Sequence, residues 1–100
     1  MDDGNQTFIP PSFVALYVPP GKVKPAIGLH DMATRHELCE DMAQLLTETA
    51  KEAQFGLGLS EQAVLERVTL GLHSEPAVCT PDEANWVRLR LAELLNWPAD

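Results

Sequence analysis

Positive charge is what this chain has least of. Seven Lys and Arg stand against fifteen Asp and Glu in one hundred residues, a formal net charge of −8. Binding phosphates needs clustered cations, and only Lys22 and Lys24 sit close together, so nucleic acid and anionic membranes are excluded as partners. Long apolar runs are also missing. Nothing approaches the eighteen or so residues needed to cross a bilayer, and the acidic N-terminus lacks the layout of a signal peptide. Two cysteines, forty positions apart, make no disulfide framework, which leaves the cytoplasm as the expected compartment.

What is present reads as a small helical protein. Residues 31–55 form the one long amphipathic stretch. Leu38, Met42, Leu45, Leu46, Thr49 and Ala53 recur at helical spacing, with Glu37, Glu40, Asp41, Gln44, Glu48 and Lys51 opposite. Asp31 is placed to cap its start, and Gly56 and Gly58 to stop it. Phe55 falls on the polar side, so the last turn is expected to distort and fold it back under the glycines. Residues 8–18 are rich in aromatic and branched side chains between two Pro-Pro pairs. Pro11 suits the first turn of a short helix over about 11–17, and Val18, before a proline, should be extended.

Two more helices follow. Ser60 caps one spanning about 60–74, with Val64, Leu65, Val68 and Leu72 on its apolar face. Gly71 shares that face and suggests close approach of a neighbouring helix, at a propensity cost of about 1 kcal/mol. Thr80-Pro81-Asp82-Glu83 spells a capping box with proline at the first helical position. It opens a helix over about 81–96 that buries Ala84, Val87, Leu91, Leu94 and Leu95 and is stopped by Pro98. The expected fold is therefore all-α: a compact array of three main helices plus a short N-terminal one, making a single domain over 8–98 behind a disordered tail over 1–7.

No reactive constellation is legible. There is no nucleophile elbow, and His30, His36 and His73 have no acid or nucleophile at a telling spacing, so no catalytic residue is assigned. The Pro20-Gly21-Lys22 stretch echoes a phosphate loop but lacks its glycine, its Ser or Thr and its strand, and reads as a turn. His36 and Cys39, one turn apart with His30 or Cys79 in reserve, are the only metal candidates. One such pair falls short of a zinc set, and burial of Cys39 as a small core residue is the favoured reading; neither metal nor cofactor is expected. A recognition helix at 60–73 would bring one cation, Arg67, beside Glu61 and Glu66, which repels DNA.

Two surfaces remain for partners. Trp86, Arg90, Glu93 and Trp97 lie away from the apolar stripe of the last helix, and Trp beside Arg is the composition of a binding hot spot. Cover by the Phe13–Tyr17 segment competes with an open site there. The acidic side of the long helix, with Glu37, Glu40 and Asp41 followed by Glu48 and Glu52, is the second. The function expected is thus a non-enzymatic interaction or accessory module, docking a protein partner or a second copy of itself.

Three stretches carry a likeness: Pro10-Pro11-Ser12-Phe13-Val14-Ala15-Leu16-Tyr17-Val18-Pro19-Pro20-Gly21, Glu37-Leu38-Cys39-Glu40-Asp41-Met42 and Arg90-Leu91-Ala92-Glu93-Leu94-Leu95-Asn96-Trp97. Together they resemble a group of small bacterial proteins, some described as "ATPase with chaperone activity". The resemblance implies a bacterial cytoplasmic protein. Since the parts of a phosphoryl-transfer site are missing, it implies an accessory role beside a larger ATPase. A small-ligand or nucleotide-binding accessory protein of such a system is the alternative.

Overall fold

The computed structural model describes residues 8–74 and 77–98. Four α-helices form, α1 (Pro11–Val14), α2 (Leu29–Leu57), α3 (Glu61–His73) and α4 (Pro81–Leu95), with no strand among the described residues. The expected tail over residues 1–7 lies outside them, as does Pro76 beyond α3. By its contacts the chain divides into two compact units, one reaching Leu38 and one beginning at Cys39, so that α2 contributes to both.

The first unit is organised on Phe13. Pro11 takes the first position of α1, which continues as a 3₁₀ turn over Ala15–Tyr17 and ends at an extended Val18. Phe13 is buried, its ring 5.5 Å from that of Tyr17 and 5.2 Å, edge-on, from His36 on α2. The Pro-Gly stretch is a turn: Lys22 N–H donates to Pro19 O at 3.0 Å, with Gly21 at φ 78°. Ala26 N–H donates to Tyr17 O at 2.6 Å and ties the connector back. The long helix starts two residues before the expected Asp31. Gly28 O accepts from Met32 N–H, and Asp31 complements the dipole from inside the first turn instead of capping it.

The second unit holds a core of Ala50, Val64, Leu65, Leu91 and Ala92, against which Leu46, Ala53, Leu59, Val68, Leu95 and Trp97 pack. Its stripe on α2 is rotated from the expected one. Cys39, Ala43 and Ala50 are buried, Thr49 is exposed and Leu45 is 77 % exposed. Small residues won because they let helices approach closely, whereas the expectation weighted the large apolar side chains. Nor does the end of α2 distort. It runs straight through Gly56 to Leu57 and stops at Gly58, φ 66°, leaving Phe55 83 % exposed.

Ser60 caps α3, its Oγ accepting from Ala63 N–H at 3.1 Å. The capping box of α4 is complete: Thr80 Oγ1 accepts from Glu83 N–H at 3.1 Å and Glu83 Oε1 from Thr80 N–H at 3.0 Å. The far end of α4 falls within a residue of the expected 96, but the stop is Asn96 rather than Pro98. Asn96 is left-handed at φ 61°, with its N–H donating to Glu93 O and that of Trp97 to Ala92 O. That is a Schellman motif, and it folds Trp97 back onto the core beside Ala92.

Candidate functional site

The hot-spot face on α4 is not an open surface. Trp86 is 6 % exposed and Trp97 packs against the core, so the two rings are spent within the fold. Arg90 is held from both sides. Its Nε donates to Glu40 Oε1 at 2.8 Å and its Nη2 to Glu40 Oε2 at 3.1 Å, while Nη1 reaches Glu93 Oε1 at 3.0 Å. The hydrogen bond it donates to Glu40 raises the Arg90 pKa above its ordinary value, against a smaller opposing effect of burial. Glu40 therefore belongs to an internal clamp between α2 and α4. Glu37, Asp41 and Glu93 remain exposed.

An apolar groove lies between α2 and α3 instead. Met42, Leu46 and Ala53 form one wall and Val64, Val68 and Leu72 the other, around a cavity of about 390 Å³. Thr49 and Arg67 supply its polar groups. Gly71 opens into it: a Cβ built there meets no atom within 4 Å, so the close helix approach expected at this glycine does not occur within the chain. Beside the groove on α2, Asp41, Leu45, Glu48 and Glu52 are all exposed at four-three-four spacing, which makes an acidic rim with one apolar foothold. A second, more polar recess of about 500 Å³ runs along α3 and α4, lined by Glu66, Leu70 and Arg88 among others.

The metal candidates separate. His36 turns its ring to Phe13 in the first unit, and His30 is exposed. Cys39 enters a different cluster. Its Sγ, Cys79 Sγ and a Glu83 carboxylate oxygen lie within 4.8 Å of one another, and all three side chains are buried. Both cysteines are thiols, and the Cys79 thiol donates to Met42 Sδ at 3.7 Å. Sequence reasoning used Glu83 only as a cap. Yet a capping-box glutamate points back past the N-cap, and the residue just before the N-cap is Cys79. That spacing was the available signal for Cys79 with Glu83; what brings Cys39 to them is tertiary. No protein-family model, curated protein or solved structure matches the chain.

Proposed function

We propose that this protein is a non-enzymatic interaction module whose α2–α3 groove receives a basic amphipathic helix from a protein partner. The observation that supports this is Gly71. A glycine in the middle of a helix costs about 1 kcal/mol relative to Ala, and within the chain no neighbour needs the missing Cβ. A partner backbone lying against α3 would need it. Apolar anchors of the incoming helix fill the space between Leu46 and Val68, and its Lys or Arg residues face Asp41, Glu48 and Glu52. Arg67, the one cation lining the groove, pairs with an acidic residue of that helix and sets its direction. The acidic rim disfavours a second copy of this chain, itself at −8, as the occupant. The setting suggested by the resemblance is the bacterial cytoplasm, beside a larger chaperone ATPase.

Fluorescence anisotropy with a labelled Leu/Lys amphipathic peptide tests the reading, with a Leu/Glu peptide of the same apolar pattern as control. Saturable 1:1 binding of the basic peptide alone, weakening as salt is raised, is expected. Gly71→Leu should reduce it at least tenfold. Equal binding by Gly71→Leu, or by the acidic peptide, contradicts the proposal. Isothermal titration with ATP addresses the alternative: saturable uptake would favour a nucleotide-binding accessory protein.

A further inference from the structure

We infer that Cys39, Cys79 and Glu83 form a zinc(II) site in the second unit. The donor set is two thiols and a carboxylate, each buried, with their ligand atoms already within 4.8 Å of one another. Around a tetrahedral zinc with Zn–S near 2.3 Å and Zn–O near 2.1 Å, sulfur ligands stand about 3.8 Å apart. Side-chain rotation must therefore close the triangle by at most about 1 Å, well within what a χ1 adjustment delivers.

Two features fit a ligand role better than a core-filling one. Glu83 is 1 % exposed, which sets its carboxylate beside both thiols and away from bulk water. Its Oε1 is oriented by the Thr80 N–H, the kind of outer hydrogen bond that aims a metal-binding carboxylate. Cys79 sits on the residue before the N-cap of α4, which fixes it to the same turn, and Cys39 projects to it from α2. A bound ion would thus staple α2 to α4.

Charge selects the ion. Binding displaces the two thiol protons to solvent, and the resulting pair of thiolates with the carboxylate presents three negative charges. A dication leaves one unbalanced charge in a buried place, where a monocation such as copper(I) leaves two. Met42 Sδ lies 3.7 Å from Cys79 Sγ. Thioethers are ligands for copper(I) rather than zinc, so Met42 walls the site and a water completes the tetrahedron. Met42 also lines the α2–α3 groove, and peptide docking keeps its own readout and its own variant at Gly71.

Cobalt(II) titration of the full chain, reduced and kept anaerobic, tests this. One equivalent should give thiolate-to-cobalt charge transfer and the intense visible bands of a tetrahedral ion, both erased by one equivalent of zinc. Zinc uptake should release two protons, read with an indicator in weak buffer. Cys79→Ser should abolish the charge transfer and weaken zinc binding at least tenfold in a chelator competition. Met42→Leu should leave zinc binding unchanged. Absence of charge transfer in the wild-type protein overturns the site, as does an unchanged spectrum in Cys79→Ser. Recovery of the two thiols as a disulfide with no metal retained overturns it too. Copper(I) binding that is lost in Met42→Leu, without zinc binding, overturns the choice of ion. Cys79→Ser is checked by far-UV circular dichroism, and the wild-type spectrum and proton release stand even if that variant unfolds.

Discussion

Arg90 is two-thirds buried between Glu40 and Glu93, and its guanidinium meets Glu40 with both forks. Arg90→Lys keeps the charge but loses the paired geometry, and should cost about 1 kcal/mol in urea denaturation. Glu40→Gln should cost a similar amount, with the double variant less than additive. Because the folded pKa of Arg90 is raised, its contribution is complete below the unfolded value and is lost only as pH climbs through the folded one. Over the working range of pH that contribution is flat. Gly71→Ala should do the opposite and stabilise the isolated protein by about 1 kcal/mol, since the new methyl meets open space. These two residues show where sequence stops informing. Arg90 beside two tryptophans looks like a partner face on a helical wheel, and Gly71 on an apolar stripe looks like an internal crossing. Only the fold assigns Glu40, fifty positions away, to the first, and leaves the second without a neighbour.

The starts of α3 and α4 were legible; the start of α2 and the stop of α4 were not. The capping box of α4 is written locally in Thr80, Pro81 and Glu83, and forms as written. Thr80→Ala should lower thermal stability by about 1 kcal/mol. The left-handed stop at Asn96 carries a weaker signal than glycine, and Pro98 masked it. Asn96→Gly should be neutral or slightly stabilising by the same measurement, while Asn96→Val should cost about 1 kcal/mol or more. On α2 the apolar period was right for a helix but gave the wrong buried stripe. Periodicity ranks Leu45 above Ala43 and Ala50, and close packing ranks them the other way. Ala50→Leu should therefore cost about 1–3 kcal/mol by overpacking, and Leu45→Ala less than about 0.5 kcal/mol.

Across the molecule, the all-α class and all four helices were recoverable from spacing, proline and caps, because those signals act within one turn of chain. The groove and the thiol cluster were not, because each joins α2 to a later helix. No helix among the described residues is long and apolar enough to cross a membrane. Of the large apolar side chains left in solvent, Leu29, Leu45, Phe55, Leu57 and Leu70 belong to α2 and α3, the two helices that build the groove, while Leu89 lies on α4 and Phe8, Val23 and Val78 lie in loops. Under the proposed docking, the exposed acidic row Asp41, Glu48 and Glu52 on α2 restricts which helix enters the groove. Amide chemical-shift mapping during titration with the Leu/Lys peptide addresses this most directly. Saturable shifts concentrated in residues 41–53 and 64–72, with Gly71 among the largest, are the predicted result. Shifts absent there, or centred on Trp86 and Arg90, would contradict the account.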